Sequence, residues 1–153
     1  MELETISMKL KELCCRREYC SKTVFDKALS WGCTTAEARK LVDSLVEQKF
    51  VDDRRFTEAY VKDKLRFNKW GRVKIAGMLR MYGIDRNIAT DVMSEIDETD
   101  YNNVLNVELQ KKYKSGLRGN IFEVKGKLFR FATSRGFEPE TVNAAISNLA
   151  FKK

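Results

Sequence analysis

The chain predicts an all-α protein, a tandem array of three three-helix repeats with about nine helices, and three observations predict it. The segments ALSWGCTTAEARKLVDSL, LRMYGIDRNIATDVMSEI and ATSRGFEPETVNAAISNL align on Gly32, Gly83 and Gly136, which lie 51 and 53 residues apart. Around each glycine apolar residues return at spacings of three and four, the stripe of an amphipathic helix, and a fixed period near 50 residues marks stacked supersecondary units. No segment alternates in the period-two manner of a half-buried strand.

Each element follows from local chemistry. The first helix of each unit lies in LETISMKLKELCCRR, RRFTEAYVKDKLRF and YNNVLNVELQKKY. The second carries Val24, Ile75 or Leu128 eight residues before the glycine and Ala28, Leu79 or Ala132 four before it. Glycine tolerates positive φ, so Gly32, Gly83 and Gly136 are expected to end that helix. Thr34, Asp85 and Glu138 then stand where the third helix needs a cap. Thr34 with Glu37 reads as a capping box, Pro139 suits a first helical position, and Asn120 with Glu123 reads as a cap before IFEVKGKLFRFATSR. The third helices carry Ala38, Val42 and Leu45, then Ala89, Met93 and Ile96, then Val142, Ile146 and Leu149. Boundaries fall at residues 1–51, 52–98 and 99–153.

Composition narrows the function. The 153 residues contain no histidine, which removes Ser-His-Asp and Cys-His catalysis and the HExxH zinc site. With no glycine-rich phosphate loop either, no catalytic residue, cofactor or metal is expected, and the chain is not read as an enzyme. Cys14, Cys15, Cys20 and Cys33 fit neither zinc-ligand spacing nor a disulfide framework, so they are expected to be reduced and mostly packed. No membrane-spanning run or signal peptide is evident, which suggests a cytoplasmic protein, expected to be a monomer. The adjacent acids Asp52 and Asp53 sit where a helix starting near Arg54 needs a cap, and a structural role is expected for both.

Net charge is +7, from 29 Lys and Arg against 22 Asp and Glu, and it is concentrated. Residues 54–86 hold 10 basic and 3 acidic side chains, and Lys111 to Arg135 hold 8 and 1. Such runs draw an acidic partner, either nucleic acid or an acidic protein surface. The candidate contact face comprises Lys64, Arg66, Lys69, Arg72, Lys74 and Arg80, joined by Lys125, Lys127, Arg130 and Arg135, all expected to face solvent. Trp70 aligns with Tyr19, and Tyr82 with Trp31, which favours packing over base stacking for these rings.

EYCSKTVFDKALSWG, LVDSLVEQKFVDDRRFTEAYVKDKLRF and KWGRVKIAGMLRMYGID together resemble the RecX family of bacterial recombinase regulators, from roughly Leu10 to Leu149. Asp52, Asp53, Phe56, Ala59, Tyr60 and Val61 match its central element, and Arg66, Trp70, Gly71, Arg72 and Ile75 the basic segment after it. The resemblance implies an elongated all-α array and mostly structural roles for Asp52, Asp53, Phe56 and Tyr60, and Trp70 and Gly71 are counted with the same structural motif. Cys20 departs from the serine common there, with Ser21 available as a substitute cap. The resemblance also implies a partner, the RecA filament on single-stranded DNA, whose recombination, ATPase and co-protease activities would be lowered. The alternative is a stand-alone DNA-binding protein with helix-turn-helix-like repeats.

Overall fold

The computed structural model describes residues 1–151. Among them are nine helices: α1 (Leu3–Arg16), α2 (Ser21–Ser30), α3 (Thr35–Glu47), α4 (Asp53–Arg66), α5 (Arg72–Met81), α6 (Arg86–Ser94), α7 (Glu98–Lys114), α8 (Ile121–Ser134) and α9 (Pro139–Ser147). They form three successive triplets, and no helix among the described residues is long and apolar enough to cross a membrane.

The three turns repeat in atomic detail. Gly32, Gly83 and Gly136 have φ of 106°, 68° and 95°. In each turn the amide after the glycine reaches back five residues: Cys33 to Ala28 O (3.1 Å), Ile84 to Leu79 O (3.1 Å) and Phe137 to Ala132 O (3.2 Å). This left-handed cap satisfies carbonyls that the helix end leaves free. The capping box holds: Thr34 Oγ1 accepts from Glu37 N at 3.1 Å, and Glu37 Oε1 accepts from Thr34 N at 2.9 Å. Asp85 Oδ1 accepts from Asn87 N at 2.9 Å, and Asn120 Oδ1 from Glu123 N at 3.0 Å. Pro139 occupies the first turn of α9, but Glu138 makes no side-chain cap there. The seventh helix starts earlier than its apolar stripe suggests, because Asp97 Oδ1 accepts from Thr99 N at 3.2 Å.

The described residues pack as two compact units, and the middle triplet is divided between them. One unit is Met1–Tyr60 with Leu79–Val92; the other is Val61–Met78 with the chain from Met93. In the first, Ile6, Leu10, Val24, Ala28, Cys33, Ala38, Val42, Leu45 and Val51 form the apolar cluster. Phe56, Tyr60 and Tyr82 of that unit pack ring to ring with centroids 5.4–5.6 Å apart. Burial there pushes the Tyr60 hydroxyl up to about 12. In the second unit the cluster runs through Tyr101, Leu105, Leu109, Val124, Leu128, Ala132, Phe137, Val142 and Ile146. Divided packing shows in the middle triplet's third helix. Ala89, Met93 and Ile96 are only half-buried, whereas the aligned Ala38, Val42 and Leu45 are buried.

The cysteines are free thiols: Cys20 and Cys33 buried, Cys14 half-buried and Cys15 exposed. Burial pushes the Cys14 and Cys33 thiols up, away from thiolate reactivity. Among the described residues no group of three or more His, Cys, Asp or Glu is placed to hold a metal ion.

Candidate partner-binding surface

In the first unit, the charges of the DDRR stretch are engaged by four separate structural tasks. Asp52 caps its own helix, with Oδ1 accepting from Arg55 N at 3.0 Å. Asp53 reaches α2 instead: its carboxylate accepts from Ser21 N and from Ser21 Oγ, both at 2.7 Å. Arg54 pairs with Glu58 at 3.0 Å and Asp91 at 3.7 Å. Arg55 pairs with Glu18 and donates to the carbonyls of Lys49 (3.1 Å) and Phe50 (3.3 Å), where Lys49 ends α3 at φ 66°.

The bond from Ser21 to Asp53 is half of a repeated joint. Cys20, at the start of α2, donates through Sγ to Tyr82 O at 3.7 Å, and Lys22 Nζ donates to Met81 O at 3.2 Å. The second unit builds the same joint 51 residues later. Gly71 N donates to Arg135 O at 2.8 Å and Val73 N to Gly136 O at 2.9 Å. Arg72 N, aligned with Ser21 N, donates to Tyr101 Oη at 3.0 Å. In both joints the first amide of a triplet's second helix goes to a side chain from the first helix of the next triplet. Free amides at a helix start are thereby satisfied over long sequence separations.

The second joint is far tighter. A Cβ on Gly71 would lie 2.3 Å from Phe137 N, and one on Gly136 would lie 2.3 Å from Lys74 Cβ and 2.6 Å from Lys74 N. Bare backbones therefore touch, which only glycine permits.

This junction overturns one expectation about the basic face. Arg72 does not face solvent freely: its guanidinium donates to Glu98, lies 2.9 Å from Glu138 Oε2 and covers the Tyr101 ring 4.0 Å from its centroid. The Nε–H is not aimed along the Glu138 contact, which is an ion pair rather than a hydrogen bond. Tyr101 Oη donates to the other Glu138 oxygen, which explains why Glu138 leaves its own helix uncapped. The hydrogen bond with Glu98 raises the Arg72 pKa and holds the Glu98 carboxyl below its ordinary value. Burial, followed by the bond to Glu138, raises that of Tyr101.

Beside this network, Trp70 is half-buried, with Lys64 Nζ 5.0 Å and Lys74 Nζ 4.5 Å from its ring centroid. The aligned Tyr19 also carries two cations, Arg17 at 4.6 Å and Lys27 at 5.8 Å, so the slot is an aromatic platform for positive charge. Lys69 ends the turn after α4 at φ 57°, with Trp70 N donating to Lys64 O at 3.0 Å. Arg66 and Lys74 are exposed, as is the neighbouring Phe67.

The third triplet's cations are placed individually. Arg130 is exposed; Arg135 covers the Phe131 ring at 4.9 Å and lies 4.0 Å from Glu108. Lys127 Nζ donates to Arg118 O at 2.7 Å, and Lys125 Nζ lies 5.4 Å from the Phe151 ring centroid. Arg80 is exposed on the first unit. The structure thus gathers Lys64, Lys74 and Trp70, and the Gly71 to Arg135 bond brings the end of α8 to the same turn.

Sequence reading missed Phe122. It is 83% exposed at the start of α8, although its place in IFEVKGKLFRF reads as part of an apolar stripe.

Residues 52–93 match the second three-helix domain of RecX, and residues 99–146 the third. The chain is 34% identical over 132 residues to the regulatory protein RecX of Clostridium tetani, covering 85% of this chain and 60% of that protein. Against the RecX of Clostridium perfringens strain 13 it is 29% identical, over 84% of this chain and again 60% of the relative. The chain therefore spans about three fifths of the length of these curated relatives. Among solved structures, RecX from Lactobacillus salivarius superposes with a TM-score of 0.83 at 18% identity, covering 96% of both chains. A second, titled regulatory protein RecX, gives 0.86 at 13% identity, over 95% of this chain and 73% of that one. Tandem matches to two successive RecX domains, on a chain whose described residues form nine helices with the fold of solved RecX structures, show that this chain belongs to the RecX family.

Proposed function

We propose that this chain is a regulator that docks on a RecA-type recombinase filament bearing single-stranded DNA and lowers its recombination, ATPase and co-protease activities. The observation that carries the reading is the cation platform around Trp70, built within matched RecX domain sequence. A filament of acidic protein and DNA attracts such a surface. The contact residues in this reading are Arg66, Lys69 and Lys74, supported by Lys64 and extended by Lys125, Lys127, Arg130 and Arg135. Arg80, on the other unit, acts as a separate contact. Arg72 serves the face by holding α5 in place.

The test is DNA-dependent ATP hydrolysis by the cognate recombinase during titration with this protein. The wild-type chain should lower the rate, and the triple reversal Arg66→Glu, Lys69→Glu, Lys74→Glu should raise the half-inhibiting concentration about tenfold or more. A matched reversal in the first unit, at the exposed Lys9, Arg39 and Lys40, should change it little. Equal losses from both triples would show that overall charge alone matters. No loss from the first would put the contact elsewhere, and no inhibition by the wild type would end the proposal.

A further inference from the structure

Phe122 marks a contact that the Trp70 platform does not itself supply. Between Lys111 and Lys127 six basic residues stand against one acid, Glu123. That acid lies back over the turn before α8, where a Cβ on Gly119 would meet its carboxylate at 2.6 Å, although it stays exposed. The turn before α8 is tied down twice, by the Asn120 cap and by the bond from Lys127 Nζ to Arg118 O. Phe122, 83% exposed, and Ile121, 44% exposed, are therefore presented by a fixed helix start rather than by a loose loop.

We infer that Phe122, with Arg118 and Lys125, forms a binding site for unpaired nucleic-acid bases, independent of the recombinase. A helix brings Phe122 and Lys125, three residues apart, onto one face, while Arg118 precedes the ring across the cap. The apolar area is one ring and one aliphatic neighbour, which suits a base better than a protein's hydrophobic patch. The six-to-one charge suits the phosphates on either side. An unpaired base offers its face to a protruding ring without the cost of unstacking a duplex, which favours a single-stranded ligand. Trp70 serves this role less well, because lysines already occupy positions over its ring. An aromatic ring beside a basic track is how sequence-tolerant single-strand binding is built.

The experiment is fluorescence anisotropy of a fluorescein-labelled oligothymidylate titrated with the full chain, with no recombinase present. Phe122→Ala should weaken binding by about fivefold to a hundredfold, Phe122→Tyr should restore it, and Phe122→Leu should behave like the alanine variant. Arg118→Gln and Lys125→Gln should each reduce the slope of log affinity against log salt by about 0.7. Melting temperatures should stay near wild type, because the ring is exposed. No wild-type binding, an alanine variant equal to wild type, or a leucine variant equal to wild type would each overturn the proposal. So would loss of Phe122's effect on the oligonucleotide alongside loss of binding to a recombinase filament, which would assign the ring to a protein socket.

Discussion

The joint at Cys20 and Gly83 and the joint at Gly71 and Gly136 are two versions of one device, and a single aligned position separates them. With cysteine at the start of α2, the contact to the Tyr82 carbonyl runs through a sulfur at 3.7 Å, and the nearest atom to a Cβ on Gly83 would be Lys22 Cδ at 3.1 Å, part of a flexible side chain. With glycine at the start of α5, amide meets carbonyl at 2.8 Å and backbone lies against backbone. A repeat can thus preserve a bond pattern while one residue sets how closely its elements approach. The looser joint tolerates side chains, and the tighter one excludes them.

The comparison can be broken most forcefully at the tight joint. Gly136→Ala combines a positive φ with clashes at 2.3 Å to Lys74 Cβ and 2.6 Å to Lys74 N, and should cost on the order of 3 kcal/mol or more in urea denaturation. Gly71→Ala should act similarly through the clash alone. Next comes Arg72→Met, which keeps the stem but leaves a half-buried Glu138 without its cation; about 2 kcal/mol is expected, below the range for a fully buried pair. Gly83→Ala, at φ 68° beside a movable lysine chain, should cost about 1 kcal/mol. A Gly83→Ala cost equal to that of Gly136→Ala would show that φ, not closeness, governs both joints.

The smallest effect is one of pH. Arg72 lowers the Glu98 pKa from 4.5, so the pair stabilises the fold above the unfolded-state value and loses that contribution as pH falls through the lowered one. Thermal melts of Glu98→Gln should lie slightly below wild type at neutral pH and converge with it as pH falls through the lowered value. A gap that persists at acid pH would mean the substitution acts through packing.

What the chain reveals by itself and what it conceals divide along sequence distance. The glycine turns and the caps at Thr34, Asp85 and Asn120 depend on atoms within five residues, and a repeated local pattern reveals them. Asp53 and Glu138 look like caps too, yet Asp53 bonds to Ser21, and Glu138 to Arg72 and Tyr101. Those partners lie 32 to 66 residues away, beyond any spacing rule. The same distance hides Arg72 inside a charge tally, where a paired guanidinium and an exposed one count alike. Phe122 is concealed for a different reason: an apolar residue near a helix start fits the core stripe whether or not anything covers it. The division of the middle triplet between two cores is equally silent, since Ala89, Met93 and Ile96 keep the spacing of fully buried residues.

The tight joint also fixes how this molecule should exchange hydrogen with solvent. Gly71, Arg72 and Val73 sit at the start of a helix, where amides normally trade protons with water readily. Here all three are held by Arg135 O, Tyr101 Oη and Gly136 O, acceptors 29 to 64 residues away. Their exchange requires the start of α5 to part from the end of α8 and from Tyr101 of α7, an opening that disrupts the second unit rather than frays a helix end. In deuterated buffer these three amides should persist alongside those of the core, while the Asn68 amide ahead of them exchanges early.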